Sequence, residues 1–444
     1  MRGVALAAIT LAAAGVWAAA PGAETPSRAA SEGPASVPTF SRDVAPILYK
    51  NCTHCHRDGE IAPMSLLSYE DARPYAKAIV EEIEGGSMPP WHADPKVGHF
   101  RNDRRLSDAD RTTLLAWAKH GAPRGNPADL PPAPKYVEGW TIGQPDAVLQ
   151  MPIEYTLPDK GQIEYEYFEI PTNFTEDKWV QAIEVRAGNR AVVHHVIVYT
   201  RAPQPERRPT GIRFAEGMDP PEEDPAAPRV RGVRRFPRPQ RVGAMIGGFA
   251  PGTSAMQYDA GSAILIRAGS TIVLQMHYTA NGKAAADRTR VGFIFAKEPP
   301  QRELRYGQLV NGGFRIPAGA DNHEVSAEMT ITADITVRQM LPHTHLRGKS
   351  WEYTAIYPDG RTEPILSVPK YDFNWQTDYV FAEPLKLPKG TRLRAVAHYD
   401  NSTANRSNPD PKAAVQWGDQ TWEEMMFTSF VYSIDGVAPG VVIK

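Results

Sequence analysis

The chain has 444 residues, room for about three domains at roughly 150 residues each. A formal net charge of -2 argues against nucleic acid or an anionic membrane surface as the main partner. The 35 glycines and 41 prolines favour many turns and few long helices, as β-rich domains do.

Residues 1–23, "MRGVALAAITLAAAGVWAAAPGA", have one Arg, an apolar stretch and a small-residue end. This is the pattern of a signal peptide with an A-x-A-like cleavage site, so the mature chain is expected to be exported, to the bacterial periplasm. The alternative is an uncleaved anchor. No later apolar run is long enough to span a bilayer, so no stable membrane insertion is expected. Residues 24–36 read as a flexible lead-in.

Residues 38–121 carry helical signals. "SYEDARPYAKAIVEEIEGG" opens on a Ser cap and closes on Gly, and "LSDADRTTLLAWAKHGAP" does the same around Leu114, Leu115 and Trp117. Within this stretch lies "CTHCH", Cys52 to His56. C-x-x-C-H is the attachment signature of haem c: the Cys52 and Cys55 thiols bond the porphyrin and His56 ligates the iron. A zinc site would need two further ligands nearby, and there is no second Cys pair. The sixth ligand is open between two methionines. Met88 sits on a loop stiffened by Pro89 and Pro90 and is preferred; Met64 in "IAPMSLL" is the competitor. His/Met ligation raises the reduction potential and suits a haem that shuttles electrons.

Residues 122–140 are a Pro-rich linker. From 141 the texture becomes short alternating runs separated by Gly, Pro and Asn turns. Two antiparallel β-sandwiches, 141–298 and 299–444, are the natural packing. The predicted fold class is therefore multidomain: a small all-α cytochrome c-like domain at 38–121 followed by two all-β, jelly-roll-like sandwiches. The Pro- and Arg-rich stretch 202–243 interrupts the strand pattern and reads as a solvated surface insertion, with a docking surface as the alternative.

The β region carries an unusual set of donors. "AVVHHVIVYT" places His194 and His195 side by side on a strand, where successive side chains point to opposite faces. Taken alone, such a pair has one ring packed and one exposed; a bulge would let both converge. "LQMHYT" adds His277, and "LPHTHLRG" adds His343 and His345, whose i, i+2 spacing puts both on one strand face. "WEEMMFTSF" adds Met425 and Met426. Three His-bearing segments in one chain favour metal. Imidazole with thioether sulfur favours copper, and a redox haem is a poor companion for redox-silent zinc. Gln275 either braces this region or simply packs. His54, His92, His99, His120, His323 and His398, with Asp400, Asn401, Trp417 and Asp419, read as loop, turn and packing residues.

In chain order these motifs resemble the copper type II, ascorbate-dependent monooxygenases, the family of the peptidylglycine α-hydroxylating and dopamine β-hydroxylating enzymes. "VVHHVIVY" and "LQMHYT" resemble the segments of its first copper site, "PHTHLRG" the H-x-H of its second, and "EEMM" the segment supplying its thioether. The resemblance covers about residues 140–444. It implies two copper ions, one on His194, His195 and His277 and the other on His343, His345 and Met425. It also implies a solvent-filled cleft between them and hydroxylation of a C–H bond by O₂ at the Met-bearing copper. That makes His343, His345 and Met425 the catalytic set. The fused haem then replaces or relays the usual reductant, with an external electron donor behind it.

The chain departs from the family in having no cysteines spare for disulfides. Leu341 stands where peptide-amidating members have Arg, and Phe427 and Ser429 where they have Asn and Tyr. A small apolar or aromatic substrate is therefore expected rather than a glycine-extended peptide. The competing readings are a haem/copper electron-transfer or copper-handling protein without hydroxylase activity, and a structural sandwich pair with vestigial metal sites.

Overall fold

The computed structural model describes residues 37–442, apart from 59, 61, 162, 205–207, 209, 215–242, 251–252 and 254. The expected signal peptide and most of the 202–243 stretch lie outside the described residues. The rest is mostly antiparallel β-sheet with a few short helices. No helix among the described residues is long and apolar enough to cross a membrane.

The helices are Ala45–Asn51, Tyr69–Ala72, Ala76–Gly85 and Asp108–Lys119. Ser68 and Ser107 cap two of them by accepting the backbone N–H groups of Asp71 and Asp110. Gly86, at φ 73°, ends the third in the left-handed conformation that a Cβ would oppose. Phe40, Leu48, Leu114 and Trp117 bury their side chains at the centre of the cluster. Trp117 is fully buried and its indole N–H donates to Pro123 O at 3.0 Å. Truncating such a side chain costs about 3–5 kcal/mol.

Between the third and fourth helices the chain leaves this cluster. Trp91 and Ala93 are buried in the core of the second sandwich. Arg101 N donates to Val380 O at 2.9 Å and Ala382 N to His99 O at 2.8 Å, so this stretch lengthens the sheet edge at Tyr379–Leu387. The linker returns beneath the C-x-x-C-H loop. There the Arg57 guanidinium lies 3.8 Å from the centre of the Tyr136 ring. The linker then enters the first sandwich, where the backbone N–H groups of Thr141 and Ile142 satisfy the buried Glu184 carboxylate at 2.6 and 3.1 Å.

The first sandwich has one sheet in the order Ala147–Gln150, Arg290–Phe295, Lys178–Arg186, Ser262–Ile266, Arg302–Glu303. The other runs Glu166–Pro171, Thr271–Tyr278, Val193–Arg201, Ala244–Phe249. Ile183, Phe293, Val198 and Leu274 meet between them. At Leu304 the chain crosses over. The second sandwich has Arg305–Val310, Phe427–Ile434, Ile335–His343 and Tyr379–Leu387 on one side. On the other lie Thr362–Val368, Gly348–Ile356, Arg392–Tyr399, His323–Ile331 and Ile212–Phe214. Residues 325–331 alternate strictly between buried and partly exposed, the mark of a sheet with one face on the core. Ile212–Phe214 lies within the 202–243 stretch. It pairs with Met329–Ile331 of the second.

Candidate metal centre

In the pairing of Val193–Arg201 with Thr271–Tyr278, His277 lies opposite His195 but Tyr278 opposite Val193. His194 is the extra residue of a β-bulge. A bulge breaks the two-residue alternation, which allows neighbouring side chains to turn to the same side. His194 Nδ1 lies 3.2 Å from His195 Nδ1, and His277 Nδ1 lies 3.3 Å from His195 Nδ1. Imidazole nitrogens at about 2.0–2.1 Å from one ion, at a tetrahedral angle, would lie about 3.3 Å apart. The cluster could hold a metal ion. The remaining nitrogen of His277, Nε2, is held at 3.2 Å by the Thr421 hydroxyl, which comes from the second sandwich. Tyr165, buried, packs edge-on against His195 and His277.

His343 ends the strand Ile335–His343, and His345 follows it by two residues. Their ring centroids are 5.1 Å apart. Each has one nitrogen engaged: His343 Nδ1 with Gln376 Oε1 at 2.9 Å and His345 Nδ1 with Glu423 O at 3.2 Å. His345 Nε2 is buried with no hydrogen-bond partner. A buried polar atom left so is costly, and a metal ligand held by its other nitrogen has this arrangement.

Met425 is tied to His345 and Arg347 through its backbone, by way of Glu424. That carboxylate is fully buried and accepts the backbone N–H groups of His345, Arg347 and Met425 at 2.8, 2.6 and 3.3 Å. Burial pushes its pKa up to about 7 against these donors and the Arg347 charge. Met426 packs into the core of the second sandwich, whereas Met425 is only half-buried. Arg347 is itself buried, with Nε on Asn401 Oδ1 at 2.8 Å and a guanidinium N–H on Trp422 O at 3.0 Å.

The two sets face each other across one side chain. Phe373 stacks on His194 at 5.3 Å and stands edge-on to His345 at 5.9 Å, with His343 at 6.3 Å. His195, His277, His343 and His345 are all buried, so the expected solvent-filled cleft is closed around Phe373 in this structure. Burial drives every one of these imidazoles to its neutral form: His194 and His343 are pulled down to about 4 and His277 to about 3. His195 and His345 are also pulled well down, His195 further by the other four rings. Neutral imidazole is the form that binds metal. Phe427 stands edge-on to His343 at 6.0 Å, giving this set an apolar wall.

The C-x-x-C-H motif sits at the end of Ala45–Asn51. Burial pushes the Cys52 thiol up to about 12, helped by Cys55, and raises Cys55 as well. Both are free thiols. The His56 ring is hydrogen-bonded to the Met64 backbone and leaves Nδ1 buried with no partner. Met88 is half-buried in the turn after Ala76–Gly85, its N–H on Glu82 O at 3.3 Å.

Sequence reasoning missed Phe373, Gln376, Thr421 and Glu424, and gave Asn401 only a turn role. Phe373, Gln376 and Thr421 have no local signal, since each acts through a contact distant in sequence. Glu424 stands inside a motif already singled out, and an acidic residue beside an apolar "MMF" run was the available clue. Gln275 donates to the hydroxyl of Tyr167, its partner on the neighbouring strand.

No protein-family model matches the chain, and no curated protein does. Among solved structures it is similar to that of the infectious bursal disease virus Gx strain, at 9% identity over 67% of this chain and 73% of that one, TM-score 0.17. The Gt strain structure gives 9% identity over 65% and 70%, TM-score 0.16. Likeness at this level carries no argument about function.

Proposed function

We propose that the chain is an exported, periplasmic copper-dependent monooxygenase of the copper type II family. It hydroxylates a C–H bond of a small apolar or aromatic substrate with O₂ and receives its electrons through an N-terminal haem c domain. The observation that carries this reading is the meeting of two separate imidazole sets, five rings in all, around Phe373. When bound, copper supplies one-electron redox chemistry and O₂ activation, and haem c passes on single electrons from an external donor.

His194, His195 and His277 hold one ion through nitrogens already at ligand spacing, with Thr421 fixing the His277 ring. His343 and His345 offer their other nitrogens to the second ion, and Met425 adds a soft sulfur that favours copper. Gln376 and the Glu423 carbonyl orient these two rings. Phe427 and Phe373 exclude water and favour an apolar guest beside His343.

In the helical domain the free Cys52 and Cys55 thiols and the partnerless Nδ1 of His56 fit covalent haem. The Met64 backbone would hold the His56 ring, and Met88, with Met64 as the alternative, would be the candidate second ligand to the iron. Anaerobic reduction followed by O₂ across a panel of small aromatics tests the activity. Substrate-dependent O₂ uptake that disappears in Met425→Ala is expected. Full copper loading with no substrate-dependent uptake would favour the alternative, a haem/copper electron-transfer or copper-handling protein.

A further inference from the structure

We propose that Phe373 holds the place of the substrate's own aromatic ring, as a plug that a guest of one aromatic ring must push out. The inference rests on the reading above and adds what selects the guest and what moves to admit it.

The tip of a surface turn is normally polar and wet. Residues 372–375 form such a turn, closed by Trp375 N–H on Asp372 O at 3.0 Å and by Asn374 N–H on the Asp372 carboxylate at 2.9 Å. Asn374 is exposed, yet its neighbour Phe373 is only 8% exposed. The Phe373 ring lies almost parallel to His194, at 17° and 5.3 Å between centroids. It meets His345 edge-on at 79° and 5.9 Å, and His343 at 55° and 6.3 Å. Stacked and edge-on contacts at about 4.5–7 Å are the arrangements that aromatic rings prefer. The surroundings of Phe373 are therefore already shaped as a receptor for one planar ring. Phe427, edge-on to His343 at 6.0 Å, adds an apolar wall. An apolar cavity of about 150 Å³ takes up benzene, which sets the guest at a single ring.

The turn is built to move as a unit. Among the described residues its hydrogen bonds run within 372–376: Phe373 O accepts Gln376 Nε2 at 3.5 Å, and the Asp372 carboxylate also takes the Asn374 side chain at 3.0 Å. The flanks are fastened elsewhere. Tyr371 N–H donates to Lys349 O and the Tyr371 hydroxyl to Thr344 O, both at 2.9 Å. On the other flank Gln376 Oε1 meets His343 Nδ1 at 2.9 Å. Between these two posts Phe373 is seated by its ring contacts. Swinging it out exchanges those contacts for the same ones made by the guest, with the internal hydrogen bonds of the turn kept.

The test uses the full chain, freed of metal by a chelator, with toluene as the probe. Phe373→Ala should bind toluene at least about tenfold more tightly than wild type in calorimetry, because wild-type affinity is scaled down by the small fraction of chains with the plug out. In both proteins toluene should shift the ring resonances of His194 and leave those of His120, in the helical cluster, in place. Methylcyclohexane, similar in size but not planar, should bind Phe373→Ala more weakly than toluene does. In wild type, toluene should also speed amide hydrogen exchange across 372–376, the opposite of the protection a ligand gives to the residues it covers.

Equal toluene affinity in wild type and a natively folded Phe373→Ala, or no shift at His194, would overturn the plug. Should Phe373→Ala fail to fold, unchanged or slower exchange at 372–376 in toluene-saturated wild type overturns it alone. Toluene bound as expected by a chain that consumes no O₂ when fully loaded would overturn the monooxygenase reading and leave the ring site standing. Uptake of O₂ on aromatic substrates by a chain that fails these binding tests would do the reverse.

Discussion

Five histidines held neutral by burial set the behaviour of the metal-free chain. Their folded pKa values lie below the unfolded value near 6.5, so between about pH 6.5 and 4 the unfolded chain binds protons that the folded chain refuses. Stability is therefore full above pH 6.5 and falls as the pH drops through that window. For a single histidine such as His194 the loss is about 3 kcal/mol near pH 4. Urea midpoints at pH 7 and pH 4.5 check this, and equal midpoints would contradict neutral burial. Glu424 is the other decisive residue. Glu424→Ala strands three backbone N–H groups and the Arg347 charge in the interior and should cost about 3–5 kcal/mol in chemical denaturation. His194, His195 and His277, which gather at the bulge, could be picked out from the sequence because imidazoles interrupt otherwise apolar strand runs. The residues that orient them could not, because Thr421 and Gln376 acquire meaning only when distant segments meet.

At the scale of elements, one inserted residue organises the first site. Deleting His194 removes the bulge and returns Val193 to the ladder opposite Tyr278. The sandwich should remain folded, because the core residues Val196 and Val198 keep their faces. Copper titration by calorimetry should then show the first site gone, while circular dichroism keeps its β signature. Loss of the β signature would mean that the bulge is structural rather than a device for aiming rings. The strands themselves were legible from alternation and turn residues, and so were the Ser-capped helices. The bulge was foreseeable only as a stereochemical need of two adjacent rings. The excursion of Trp91 to Asp103 onto the second sandwich was not foreseeable, since helical signals on both sides of it say nothing of where the intervening aromatics bury.

At the scale of the molecule, the two sandwiches complete one another. Thr421 of the second touches His277 of the first, and Phe373 of the second stacks on His194. Thr421→Val should weaken metal binding at the His194/His195/His277 set by about 10–100-fold while leaving the His343/His345 set unchanged. Competition titration with a chelator reads this, and equal weakening at both sets would point to a general loss of packing instead. The motifs along the chain made the His194/His195/His277 cluster and the His343/His345 pair legible as candidates from sequence. Their closeness was not, because it depends on how one sandwich closes upon the other.

The most direct test is the metal and pigment content of the purified chain. After reconstitution, elemental analysis with haem quantification should give two copper ions and one covalently bound haem per chain, falling to one copper in His195→Ala. Less than one copper per chain, or no covalent haem, would contradict the account.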